Sequence, residues 1–274
     1  MDRVLMLLSL KPILYGLVGM LISGTVFPIC GVIIVRNNLM PMRYMLMHGV
    51  ILGGIISVSF SLPLLPVTIA LCVLLVLIMV HMGKEGSLGS SSTAMMVATM
   101  ALASLFSHIS GVPAKDTLEV LWGSPFALTL SDLFILFFLA RATLLYILIF
   151  FRPLSMIFFD REVAMSMGVK VERHNLVMLL LTALVVSVAM KMVGALLIDT
   201  LVILPVIGAG KRAKGLKDLF LRSTFTGFIL SLSGYFISLY LNLPTSGVLA
   251  IISVGIYALE SIIASITNRR KIKC

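Results

Sequence analysis

The sequence predicts an all-α membrane protein, a polytopic bundle of about eight or nine transmembrane helices. Of the 274 residues, 60% are hydrophobic and only 12% are charged, which is about half the charge density of a soluble domain. Several apolar runs reach the roughly 20 residues that a helix needs to span a bilayer. The runs are continuous, as in Leu176–Met190, whereas strands of a membrane barrel alternate in segments of about ten residues.

Nine candidate spans account for nearly the whole chain, which we predict to be one transmembrane domain over residues 1–274. Residues 175–209 are too long for one span, so we predict two spans with the turn at Lys191 and Gly194; a hairpin, or one span plus a re-entrant segment, is the alternative. The predicted spans are about 12–35, 44–61, 63–82, 91–110, 128–151, 175–192, 194–210, 220–240 and 246–267.

The basic residues predict how the chain is oriented. The net charge is +10, and with nine spans most Lys and Arg fall on the side of residues 152–174, which we assign to the cytoplasm. This places the N-terminus outside and the C-terminus inside. The positive charge is then explained without nucleic acid as a partner. Outside would remain Arg3, Lys11, Lys115 and Lys191.

Sequence motifs for catalysis are missing. The nearest stretch to a Walker A loop is Gly210-Lys211-Arg212, with Pro205 where the first glycine should be, so this chain is not expected to bind ATP in that way. There is neither an HExxH nor a GxSxG motif. A membrane-embedded enzyme such as an intramembrane protease is an alternative, but it needs paired groups at matching depth. Only Asp199 and the span-edge Asp132 offer carboxylates for that purpose.

Three ionisable residues within the predicted spans are candidates for function, because such groups are costly in lipid. They are His48, Arg141 and Asp199. Imidazole and carboxylate are both good ligands for zinc or manganese, so we predict His48 and Asp199 as metal-binding residues. The structural alternatives are a neutral His48 ring bonded to a nearby carbonyl and an ion pair between Asp199 and Arg141.

Two polar stretches on the predicted cytoplasmic side could dock a soluble motor protein. The first, Phe158–Val169, is predicted to be a short amphipathic helix that stops at Gly168, although a solvated loop is the simpler interpretation. The second, Lys211–Ser223, follows Pro205 and has a similar character. The candidate coupling residues are Asp160, Glu162, Gly168, Lys211 and Asp218.

Several motifs together resemble the zinc and manganese permeases of ABC transporters, and in particular they resemble the membrane subunit of zinc importers. The most specific motif is the stretch from Gly194 to Pro205, which is similar to the family's VGxLLxxxLLxxP signature. The other matches, in chain order, are His48 with Gly53, Leu121–Ser124, Phe159–Val169 and Leu243–Gly247.

The resemblance implies an ABC-importer type of permease in the bacterial cytoplasmic membrane. Its transported substrate would be a divalent metal ion, with no covalently bound cofactor and no enzymatic activity of its own. The implied partners are a separate ATP-binding cassette subunit, an extracytoplasmic metal-binding protein and a second permease subunit, identical or paralogous. Gly194 and Pro205 would be structural residues of the signature.

The sequence also departs from the family pattern at three positions. The aspartate expected four residues before His48 is Tyr44, and the acidic residue expected at the start of the fourth span is Ser92. Conversely, Asp199 stands where the family usually has a small or apolar residue, and it could supply the missing carboxylate. A related permease for a siderophore or cobalamin, or a membrane protein that has lost its transport path, therefore remains an alternative.

Overall fold

The computed structural model describes residues 10–84, 87–111 and 125–272, and the predicted turn at Leu121–Ser124 lies outside them. In this part of the chain the secondary structure is helical, so the all-α prediction is confirmed. The helices are α1 (Lys11–Arg36), α2 (Met40–Ser59), α3 (Leu64–Met82), α4 (Leu88–Ser110), α5 (Leu130–Ile149), α6 (Phe151–Phe159), α7 (Arg161–Ser166), α8 (Val171–Val193), α9 (Ala195–Val202), α10 (Leu204–Gly210), α11 (Leu216–Leu241) and α12 (Thr245–Ile272).

Eight of the described helices are long and apolar enough to cross a bilayer, namely α1 to α5, α8, α11 and α12. They correspond to eight of the nine predicted spans. The predicted ninth span over 194–210 is not one continuous helix, because α9 and α10 are separated at Ile203. At 1.5 Å per residue, the apolar segment Leu196–Gly210 is about 22 Å long, which is shorter than the roughly 30 Å hydrocarbon core.

Two residues of the sequence signature lie just before this segment and at its internal break. Gly194 has φ +84°, a conformation that favours glycine, and it caps the C-terminal end of α8. The predicted turn therefore lies at Gly194, whereas Lys191 belongs to the last turn of α8. Pro205 stands in the first turn of α10, where its missing N–H is tolerated. The same proline would disrupt a continuous helix, because its ring clashes with the carbonyl four residues before.

The described chain divides into two compact units. The first comprises residues 10–32, 125–133 and 196–272, and the second comprises residues 33–84, 87–111 and 134–195. In the second unit α2 packs against α3 and α4, and α8 packs against α3 and α2. A methyl group added at Gly53 would lie 2.9 Å from Thr68 Cγ2 and 3.0 Å from Thr68 Cα. The two helices thus approach each other closely where glycine has no side chain, as is common in membrane bundles.

The first unit is held together by α10, α11 and α12, which pack against one another, and by α1. Gly227 of α11 faces the Gly24 carbonyl of α1 and the Pro28 ring, so that a Cβ at residue 227 would collide with both. Pro28 has no N–H to give to that carbonyl. Near the other end of α11, the buried Tyr235 hydroxyl donates a 2.6 Å hydrogen bond to the Ile13 carbonyl.

Candidate functional site

His48 is the first predicted metal-binding residue, and it lies half-buried in α2. Its Nδ1 is 2.8 Å from the carbonyl oxygen of Tyr44. A carbonyl can only accept a hydrogen bond, so Nδ1 carries the proton and a neutral ring has its lone pair on Nε2. This bond is what the structural interpretation of His48 requires. It is also the arrangement in which metal-binding histidines are commonly oriented, with the second nitrogen bonded to a carbonyl.

Tyr44 stands where the family has an aspartate, four residues before His48. It contacts a cationic neighbour, Arg43. The Tyr44 hydroxyl accepts a 2.6 Å hydrogen bond from Arg43 Nη2. The Arg43 guanidinium also lies 4.3 Å from the centre of the Tyr44 ring, within the range of a cation–π contact. The second departure, Ser92, is fully buried and donates a 2.7 Å hydrogen bond to the Gly89 carbonyl of its own helix. Both positions therefore lack the negative charge that a carboxylate would supply.

Asp199, the second predicted metal-binding residue, is half-buried in α9. It lies four residues before Ile203, where the helix is broken, and the Ile203 N–H donates to the Asp199 carbonyl. Asp199 and His48 belong to different units. Arg141, the predicted ion-pair partner, is exposed near the middle of α5, and that pairing remains a prediction.

The segment predicted to contact the ATPase subunit contains the short helix α7. The bounds of α7 follow from two caps. Asp160 Oδ1 accepts hydrogen bonds from the N–H groups of Glu162 and Val163 at 2.8 and 3.1 Å, which is a typical N-cap. At the other end Gly168 has φ +80°. Its N–H donates to the Met165 carbonyl, and the next N–H donates to Ala164, which forms a Schellman motif. The predicted short helix is thus confirmed, and Asp160 and Gly168 are its caps.

The second predicted coupling stretch is shorter than expected, because α11 begins at Leu216. Residues 211–215 form the loop, and Asp218 lies in the first turn of the helix. Asp218 Oδ2 accepts from the Lys214 N–H at 3.0 Å, and Oδ1 accepts from Arg222 Nε at 2.7 Å. Lys211 Nζ lies 3.9 Å from the centre of the Tyr257 ring in α12. Both predicted residues therefore stabilise the loop, and both have exposed surface beside it.

Glu260, an ionisable residue within the last predicted span, was missed by the sequence reasoning. Glu260 lies in α12, and its carboxylate is placed against Gly208 of α10, where a Cβ would collide with it. Its Oε2 is buried and makes no hydrogen bond. Arg212 and Arg222 line the same small cavity. The signal was available, since a glutamate inside an apolar run is as exceptional as Asp199.

The described residues contain no cluster of three or more His, Cys, Asp or Glu side chains arranged to hold a metal ion. What the geometry offers is one imidazole with a fixed tautomer in one unit and one half-buried carboxylate beside a helix break in the other. Eight long apolar helices and a broken ninth segment define a multi-pass membrane protein.

The chain belongs to the ABC 3 transport family, whose model matches residues 9–264. It is 26% identical over 256 residues to the manganese import system permease protein ScaB of Streptococcus pneumoniae, covering 93% of this chain and 92% of that protein. It is 27% identical over 258 residues to the high-affinity zinc uptake system membrane protein ZnuB of Buchnera aphidicola subsp. Schizaphis graminum. This match covers 90% of this chain and 95% of that protein. The predicted resemblance to zinc and manganese permeases is thereby confirmed.

The fold is similar to the solved structure of PsaBC from Streptococcus pneumoniae in complex with Fab. The TM-score is 0.83 with 23% sequence identity, and the match covers 100% of this chain and 99% of that one. This match confirms the predicted permease type of helical bundle.

Proposed function

We propose that this chain is the permease subunit of an ABC importer that moves divalent metal ions into the cytoplasm. The ion would be manganese, zinc or iron. The family match over residues 9–264 carries this proposal, together with the manganese and zinc systems that two relatives are named for. In this proposal ATP is hydrolysed by a separate subunit, and the chain itself is not an enzyme.

His48 and Asp199 are the proposed ligands along the path of the ion. A divalent ion can leave water only if ligands replace part of its hydration shell. A neutral imidazole with its lone pair on Nε2 suits zinc and iron, whereas the Asp199 carboxylate suits manganese. The Tyr44 carbonyl supports that tautomer of His48 at 2.8 Å. Few ligands at each point of the path keep binding weak enough for release.

The proposed assembly is the one implied by the family. Both units form a single permease domain over residues 1–274 in the bacterial cytoplasmic membrane. A second permease subunit, identical or paralogous, completes the path, and an extracytoplasmic protein delivers the metal. The ATPase would contact α7 and the loop before α11. The two caps of α7 support this role, because they give the short helix a fixed end at Asp160 and at Gly168.

Metal uptake by the complete transporter, in cells that lack other importers for these metals, tests the proposal. Radioactive manganese, zinc and iron are supplied separately as free ions and as chelates. We expect uptake of at least one free ion, and we expect His48→Ala to lower it at least tenfold while the chain is still inserted. His81→Ala is the matched control, because His81 is an exposed histidine in the last turn of α3.

Two outcomes would contradict the proposal. Uptake of a chelate without uptake of any free ion would favour the siderophore or cobalamin alternative. Equal uptake by the His48→Ala and His81→Ala variants would remove His48 from the ion path, even if the chain transports metal.

A further inference from the structure

A cavity of about 350 Å³ lies beside the end of the α7 segment, where the C-terminal end of α5 meets the N-terminal turn of α8. Its wall includes Tyr146 from the last turn of α5, Phe150 between α5 and α6, and Gly168 from the cap of α7. Lys170, Arg173 and His174 complete its polar part. The proposed metal path uses none of these side chains.

The polar part of the cavity is basic. Lys170 and Arg173 are exposed, and the His174 Nδ1 lies 2.7 Å from the Tyr146 hydroxyl. Of the described residues that line the cavity, none is an aspartate or a glutamate. Glu172 lies between the two cations in the sequence but does not line the cavity. The site therefore suits an anion, and it offers hydrogen-bond donors as well as charge.

The remaining wall is apolar and aromatic. The Phe150 ring lies 5.0 Å from the Tyr146 ring and 5.1 Å from the His174 ring, measured between centroids. The two residues just before Phe150, Leu148 and Ile149, are 63% and 70% exposed. The basic groups thus lie next to a surface that would suit hydrocarbon better than water.

The cavity lies at the ends of two candidate membrane spans, where the edge of the hydrocarbon layer is expected. The candidate spans Leu130–Ile149 and Val171–Met190 both have one end at this cavity. A bilayer places its phosphate groups at such span ends, and the distribution of Lys and Arg assigns this side to the cytoplasm. Basic pockets between helices on that side are a known kind of site for anionic headgroups.

We propose that this cavity binds the phosphate headgroup of an anionic phospholipid from the cytoplasmic leaflet, such as phosphatidylglycerol. Lys170 and Arg173 contact the phosphate, the His174–Tyr146 pair adds a hydrogen bond, and an acyl chain lies along Phe150 and Ile149. An acidic segment of the ATPase would satisfy the same cations. The apolar wall and the exposed span end favour the lipid. Because Gly168 borders the cavity, a bound headgroup would support the junction between α7 and α8.

Native mass spectrometry of the purified full chain, released from micelles that contain either phosphatidylglycerol or phosphatidylcholine, tests this site. We expect one tightly retained phosphatidylglycerol per chain and none of the zwitterionic lipid. Each juxtamembrane cation adds about a factor of five in affinity. Arg173→Gln should therefore weaken retention about fivefold, and the double variant with Lys170→Gln about twenty-fivefold. Arg173→Lys should keep most of the affinity, which separates loss of charge from loss of folding.

Arg36→Gln with Lys84→Gln is the matched control, because it removes two exposed cations from the same predicted side but away from the cavity. Equal loss of lipid in the control and cavity variants would overturn the proposal, since it would reflect surface charge alone. The proposal would also be overturned if inorganic phosphate displaced the bound phosphatidylglycerol as effectively as added phosphatidylglycerol does. The acyl chain would then contribute nothing to binding. Unchanged lipid retention combined with lost ATPase pull-down in the cavity variant would overturn the proposal as well, and would assign the site to the ATPase. None of these readouts depends on metal transport.

Discussion

The contact between α2 and α3 at Gly53 allows the stability of the bundle to be tested against an internal control. An alanine Cβ at this position would lie 2.9 Å from Thr68 Cγ2 and 3.0 Å from the backbone atom Thr68 Cα. Ordinary carbon contacts begin near 3.4 Å, so the helices must separate by about 0.4 Å. Gly54 is the adjacent and equally buried residue, yet its Cβ would find its nearest neighbour, Leu64 Cδ1, at 3.8 Å.

The difference between the two substitutions isolates the packing term. Replacing glycine by alanine inside a helix contributes about 1 kcal/mol of helix propensity, and this gain is common to both positions. Crowding a well-packed contact costs about 1–3 kcal/mol, and only Gly53→Ala incurs it. We therefore expect the free energy of unfolding of Gly53→Ala to be about 1–3 kcal/mol lower than that of Gly54→Ala. Gly53→Val should destabilise further, because its two methyl groups extend toward α3.

The measurement is an SDS titration of the full chain in mixed micelles, in which unfolding is monitored by the helical circular dichroism signal. Metal uptake by the same variants shows whether the separation also disturbs His48, which lies on α2 five residues earlier. Equal unfolding free energies for the two alanine variants would refute the close approach of α2 to α3 at residue 53.

Three further predictions concern charge. Asp199→Ala should lower metal uptake while membrane insertion stays normal. If Asp199 instead neutralises Arg141, Asp199→Ala should destabilise the chain by roughly 3 kcal/mol or more. Adding Arg141→Leu should then restore both stability and uptake. Glu162→Lys should reduce retention of the ATPase in a pull-down, whereas Asp116→Lys, in a loop predicted to lie outside, should not; equal retention would contradict a coupling role for α7. Reporter fusions at the two ends of the chain should lie on opposite sides of the membrane, and the same side for both would exclude the nine-span topology.

Much of the fold follows from local sequence features, because a helix in lipid satisfies its own backbone hydrogen bonds within one segment. The continuous apolar runs therefore predicted eight long helices close to their observed bounds. The caps of α7 were also accessible, since Asp160 and Gly168 are residue types that begin and end helices. The helix break within residues 194–210 also has a local cause, because Pro205 has no N–H and disfavours a continuous helix.

The candidate site was predictable in its residue types but not in its contacts. An ionisable residue in an apolar run identified His48 and Asp199, and the same rule would have identified Glu260 had it been applied to the last span. The tautomer of His48 depends on which atom its Nδ1 meets, and the role of Tyr44 depends on Arg43 reaching its hydroxyl and ring. Both are properties of side-chain conformation, which composition does not specify.

The sequence by itself determined that the chain is a helical membrane protein, which family it resembles and which few charged groups lie within its spans. These properties depend on composition and on neighbours along the chain. Only the tertiary structure decided which glycines lie at close helix contacts. It also decided that Lys170, Arg173 and His174 share one cavity with Tyr146. Such contacts join residues far apart in the sequence, and they depend on how whole helices pack, which no local pattern encodes.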